Sequence, residues 1–138
     1  MVRINLIKPE KLADQHLIAE YNEILMLIGH IKKYAKIYSQ PKEYCLGEGH
    51  INFFKDKISY LKDRHELIKK EMKKRGFKTN KTILLSQFKK EQKKNWKPKN
   101  KDIRIIKKRI ISKIKLKPDY YRYYKEKKTS KFLINLLK

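Results

Sequence analysis

Leu17, Tyr21, Ile24, Ile28, Ile31, Ala35 and Tyr38 recur at alternating steps of four and three. That spacing lines one side of an α-helix with apolar side chains, which must be buried against something. It predicts a helix from Leu12 to about Tyr38, ended by Ser39-Gln40-Pro41, with Asp14 as N-cap or first-turn carboxylate. A second stripe runs Phe54, Ile58, Leu61, His65, Ile68, Met72, and Gly76 follows Lys73-Lys74-Arg75 where a glycine C-cap belongs. A third, Ile103, Ile106, Ile110, Ile114, continues until Lys117-Pro118 stops it. Between the stripes lie a loop over 39–50 with Gly47 and Gly49, and a polar, Lys-rich stretch over 77–100. That stretch carries a short apolar patch at Ile83-Leu84-Leu85 and an isolated Trp96. Residues 1–11 read as extended, since Pro9 interrupts any early helix. The tail holds Tyr120-Tyr121-Arg122-Tyr123-Tyr124 and ends in an apolar run from Phe132 to Leu137. The expected fold is all-α: a single compact domain over 1–138, with three main helices on one core and long basic loops.

Charge narrows the partners. Thirty-eight Lys and Arg face 14 Asp and Glu, for a formal net charge of +24. Such a chain seeks polyanions, and counterion release from nucleic acid would supply much of its binding free energy. No apolar stretch approaches the ~18 residues of a spanning helix, and the N-terminus lacks a signal-peptide pattern. An intracellular protein that makes no use of membranes is expected. The single cysteine, Cys45, excludes an internal disulfide, and four dispersed histidines support no metal site.

Three features could carry chemistry. Val2 is small enough for the initiator Met to be removed, which would leave an α-amine with an ordinary pKa of about 7.7–8.0. Surrounding positive charge would depress it towards a usable nucleophile; alternatively Val2 merely begins an edge strand. At about 100° per residue, His16, Glu20, Glu23, Leu27 and His30 share one face of the first helix, beside the core stripe and not in it. Glu20 or Glu23 could therefore sit at the rim of a cleft, or serve as solvated charge or a partner for Lys or Arg. Lys107, Lys108, Arg109 and Lys113, followed by Lys117 and the tyrosines and arginine of 120–124, interleave cations with rings. Cations meet phosphates and rings stack on bases. Five neighbouring positions cannot all point inward, so some tyrosines are expected in the core and some outside.

Read together, these stretches resemble the phage endonuclease V family of pyrimidine-dimer DNA glycosylase/AP lyases. Arg3-Ile4-Asn5-Leu6, Leu12-Ala13-Asp14-Gln15-His16-Leu17 and Ala19-Glu20-Tyr21 carry the likeness, with Glu23 in register. Leu46-Gly47-Glu48-Gly49-His50, Phe53-Phe54, Asp56-Lys57 and Lys74-Arg75-Gly76-Phe77 continue it. Arg109, Lys113, Lys117-Pro118 and Tyr121-Arg122-Tyr123-Tyr124 match the aromatic-basic end.

The resemblance implies a DNA-repair enzyme that needs no cofactor and acts, as a monomer, on duplex DNA with UV-induced pyrimidine dimers or abasic sites. The processed N-terminal amine, here on Val2, would attack C1′ and form a Schiff base, and β-elimination would then cut the strand. Glu23 would be the essential carboxylate, and Arg3 would hold phosphate beside the amine. Gln15, His16 and Tyr21 would line the cleft, and Arg109, Lys113, Lys117 and Arg122 would contact DNA. Phage members have Thr where Val2 stands, and DNA-contacting arginines where Asn22 and Met26 stand. Two alternatives follow: an AP lyase with altered lesion preference, or a non-catalytic basic DNA-binding protein.

Overall fold

The computed structural model describes residues 3–138. Three long helices follow the three stripes: α1 (Asp14–Lys33), α3 (Ile58–Lys74) and α4 (Asn100–Leu116), with the short α2 (His50–Phe54) before α3 and α5 (Ser130–Leu137) at the end. The chain is mostly helical and forms a single compact domain, as expected for the all-α class. Helices α1 and α3 lie against each other and bring together Leu17, Ile24, Ile28, Ile31, Ile58, Leu61 and Ile68. Ile106, Ile110 and Ile114 of α4 join the same core, and α5 packs on α4.

The α3 terminus follows its sequence signal. Gly76 takes φ of 84°, its N–H bonds the Lys73 carbonyl, and the Phe77 N–H bonds that of Met72. This is the Schellman arrangement that a glycine permits without a Cβ penalty.

Elsewhere the stripes misled. The first helix ends at Lys33, not near Tyr38, with the Tyr34 N–H closing on the His30 carbonyl at 2.8 Å. Beyond Ile31 the stripe offers only the Ala35 methyl and an exposed Tyr38, too little apolar area to carry another turn. The apolar run after Phe132 is a helix in its own right. Thr129 accepts the Phe132 N–H at 3.1 Å as N-cap, and Leu133 and Leu137 are buried. Of the two roles expected for Asp14, the structure gives it that of first-turn carboxylate, with Ala13 as the N-cap. Trp96 is not isolated: its ring lies 5.1 Å from Phe53, 5.1 Å from Tyr60 and 6.1 Å from Tyr44. The Lys-rich stretch is thereby wrapped onto α2 and α3, with Ile83 and Phe88 also buried.

A two-stranded hairpin, β1 (Arg122–Tyr123) and β2 (Glu126–Lys127), folds the tail back towards α1. Both turn residues, Tyr124 and Lys125, have positive φ, at 52° and 68°. Their N–H groups both donate to the Asp14 carboxylate, at 3.1 and 2.7 Å, which compensates a conformation that side chains disfavour. Arg75 completes the knot. It donates to Asp14 at 2.9 Å and to Glu71 at 2.8 Å, and its guanidinium lies 4.6 and 4.8 Å from the Tyr123 and Tyr124 rings.

Candidate active site

The N-terminal segment is fastened by buried side chains. Ile4 donates its N–H to His50 Nε2 at 3.2 Å and accepts from the Tyr44 hydroxyl at 2.7 Å. His50 Nδ1 meets the Cys45 carbonyl at 2.7 Å. Nε2 must accept and Nδ1 must donate, so one neutral tautomer fits, and burial lowers the pKa of this ring to about 4. Arg3 donates from Nε to the Leu46 carbonyl at 2.6 Å. Further along, Arg64 donates to the Ile7 carbonyl at 2.6 Å and Arg75 to that of Leu12 at 2.7 Å. Loop 44–50, α3 and its C-cap Arg75 thus hold the segment of residues 3–12. His50 and Tyr44 in these roles were missed in the sequence. The Gly47-x-Gly49-His50 block was the available signal, but nothing in it shows that the histidine turns back to residue 4.

The two glutamates of the α1 face part company. Glu20 is not at a rim: it is fully buried and forms a two-pronged ion pair with Arg64 at 2.7 and 3.0 Å. The expectation that this face lies outside the core fails there, and at Leu27, which is buried too. Glu23 is half-buried. Burial raises its pKa above the ordinary carboxylate value, against an opposing pull from the Arg3 guanidinium.

Around Glu23 and Arg3 the structure gathers several of the other predicted residues. His16 is held neutral, its pKa lowered to about 4 by burial and by the charges of Arg109 and Lys113. Its ring lies 4.7 Å from that of Tyr121, and its Nδ1 is buried with no hydrogen-bond partner. Arg109 is half-buried, and both burial and the Arg3 charge work against its own charge. The N-terminal segment, α1 and α4 therefore meet in one positive field. A shallow cavity of about 300 Å³ beside it is lined by Leu46, Ile105, Lys108, Arg109 and Ser112.

The remaining predicted residues serve different ends. Gln15 spans α1 and the tail, donating to the Tyr120 carbonyl at 2.9 Å and accepting from the Arg122 N–H at 3.0 Å. Tyr21 is buried, stacks 4.6 Å from His65, and accepts from the Lys81 N–H at 3.1 Å, so its ring meets the core and not solvent. Lys117 lies 5.0 Å from the Tyr120 ring, and Arg122 donates to the Lys125 carbonyl at 3.3 Å; both are exposed on the tail. Tyr121 is buried while Tyr120 and Tyr124 are exposed, the mixed arrangement expected. Val2 lies outside the described residues.

Among the described residues no group of three His, Cys, Asp or Glu gathers as metal ligands. No described helix is long and apolar enough to cross a membrane. The family model for pyrimidine dimer DNA glycosylase matches residues 1–85, which include α1, α2, α3 and the fastened N-terminal segment; α4 and the tail follow the matched region.

Proposed function

The chain belongs to the pyrimidine dimer DNA glycosylase family, whose enzymes act on DNA carrying pyrimidine dimers, and we propose that it works through its own N-terminal amine and also cuts the strand. One observation carries the proposal. A half-buried carboxylate, Glu23, lies in the field of Arg3, whose neighbour Ile4 is pinned at both its N–H and its carbonyl. An amine two residues before Ile4, on Val2 after loss of Met1, would inherit that fixed position. The positive field would lower its pKa, so that more of it is unprotonated at neutral pH.

The unprotonated amine attacks C1′ of the damaged nucleotide. The C1′–base bond breaks and the base leaves with the electron pair. Loss of the amine proton and opening of the sugar ring give an imine between Val2 and C1′. Removal of a C2′ proton then lets the C3′–oxygen bond break, and the 3′ phosphate leaves with those electrons. Glu23 stabilises the positive charge at the sugar in the first stage and takes the C2′ proton in the second. Its raised pKa suits proton transfer near neutrality better than an ordinary carboxylate would. Arg3, Arg109 and Lys113 hold phosphates around the cleft, Lys117 and Arg122 extend that hold along the tail, and His16 and Gln15 line the approach. The enzyme acts as a monomer on duplex DNA.

Borohydride reduction tests this directly. Mixed with DNA containing a dimer or an abasic site, the protein should become covalently joined to DNA through Val2, as peptide mass would show. Absence of an adduct with both substrates would overturn the mechanism. Glu23→Gln should slow base release by roughly 100-fold or more while leaving DNA affinity nearly unchanged; an unaltered rate would remove Glu23 from the chemistry.

A second reading concerns the lesion. Met26 is 69% exposed and Asn22 is exposed as well, flanking Glu23 on α1 without a charge to offer phosphate. This favours an enzyme whose strand cleavage at abasic sites exceeds its selectivity for dimers. Comparing single-turnover rates on the two substrates decides it.

A further inference from the structure

Past the end of α1, the segment from Tyr34 to Tyr38 borders a groove of about 530 Å³ lined by His30, Lys33, Tyr34, Ala35, Lys36, Tyr38 and Lys55. Both tyrosines are unusually open, 53% and 64% exposed. Each carries a lysine on its ring: Lys33 Nζ lies 5.4 Å from the Tyr34 centroid, and Lys36 Nζ lies 5.2 Å from that of Tyr38. Among the described residues no carboxylate lines this groove, whereas the smaller groove along the same segment includes Glu91. The groove floor is held in place. Lys55 Nζ donates to the Lys36 carbonyl at 3.1 Å, and Asn52 donates to the Tyr38 carbonyl at 2.9 Å.

We propose that this groove binds unpaired nucleotides, stacking bases on Tyr34 and Tyr38 and holding their phosphates with the exposed Lys33 and Lys36. Exposed rings that fill no core and pair with cations suit an aromatic ligand that is also an anion. As a base slides over each ring, its lysine shifts from the ring face to the phosphate, so cation and ring both keep a partner. Position supports a strand as the occupant. His30 lies seven residues after Glu23 on α1, which is about 10 Å along the axis and within about 20° of the same face. A strand running along α1 from Glu23 would reach the groove within about two nucleotides. The groove thus extends the nucleic-acid surface of the proposed function, but its binding needs no cleavage and can be measured without it.

The test uses a fluorescent single-stranded thymidine 12-mer and a fully paired, undamaged duplex, with affinities read by anisotropy at one salt concentration. Changing Tyr34 and Tyr38 together to Ala should weaken binding to the 12-mer by about tenfold or more and duplex binding by less than about twofold. Changing both to Phe keeps the rings and should restore the 12-mer affinity. Equal losses on strand and duplex, no loss on the strand, or failure of the Phe pair to restore it would overturn the proposal. Thermal unfolding of each variant beside the parent shows that the fold is kept, as expected for two exposed side chains. A protein that fails to trap DNA with borohydride but behaves as described here would refute the amine mechanism and leave the groove standing.

Discussion

Glu20 and Glu23 stand three residues apart on α1 and have become different chemical groups. By helical spacing alone both look alike, as scarce acids on one flank of a helix, and only the family resemblance singles out Glu23. What separates them is Arg64, 44 positions further on, which pairs with Glu20 inside the core and leaves Glu23 beside Arg3. Removing one partner of a buried pair leaves the other charged and unmatched. Glu20→Ala should therefore cost about 3–5 kcal/mol, read as a fall in the urea midpoint. His50 makes a second residue-scale prediction. Its pKa is about 4 in the folded protein against an ordinary 6.5. Above pH 6.5 the ring is neutral in both states and nothing is lost. Below it the unfolded chain binds a proton that the folded chain refuses, so stability falls, by up to ~3 kcal/mol once pH reaches about 4. A glutamine can accept from Ile4 and donate to the Cys45 carbonyl without titrating. His50→Gln should accordingly lessen the decline in thermal midpoint between pH 6.5 and 4, while His16 and His65, each lowered to about 4 as well, keep the rest of it.

At the scale of elements, periodicity located the three long helices and chain chemistry located their ends unevenly. Gly76 marked the end of α3 because only a residue at ease with positive φ closes that turn cheaply. The end of α1 was set instead by how little apolar area follows Ile31, a packing quantity that spacing alone overstates. The tail hairpin had no local signal. Its turn uses Tyr124 and Lys125 where Asn and Gly are usual, and a carboxylate about one hundred residues away makes this possible. The strain is still present at Lys125, whose ammonium makes a long contact with the Gly76 carbonyl, 3.4 Å, and lies 5.2 Å from the Phe77 ring. Lys125→Gly should raise stability by about 1 kcal/mol in thermal or urea unfolding. Tyr124→Gly should not, since it also removes the ring on Arg75 and the 2.9 Å bond to Glu71.

For the whole molecule, the positive charge and the core are in tension, since a net +24 repels itself. The Lys-rich stretch after α3 shows how it is held: Trp96 plugs into Tyr44, Phe53, Phe54 and Tyr60, and Tyr44 and Phe54 also pack against the His50 ring. Trp96→Ala should cost about 3 kcal/mol in urea unfolding and loosen that segment. Affinity for DNA should fall steeply with added salt, with a log–log slope that counts the phosphates neutralised. The sequence by itself determined the helical class, the polyanionic partner and, through ordered short stretches, the family. Each of these depends on local spacing, composition or motif order, which no distant contact can change. Only the tertiary structure decided which glutamate is spent on Arg64, that His50 and Tyr44 grip Ile4, and that Trp96 is a plug. Those outcomes depend on pairings across tens of residues, where burial and hydrogen-bond satisfaction are settled by whatever the fold brings alongside.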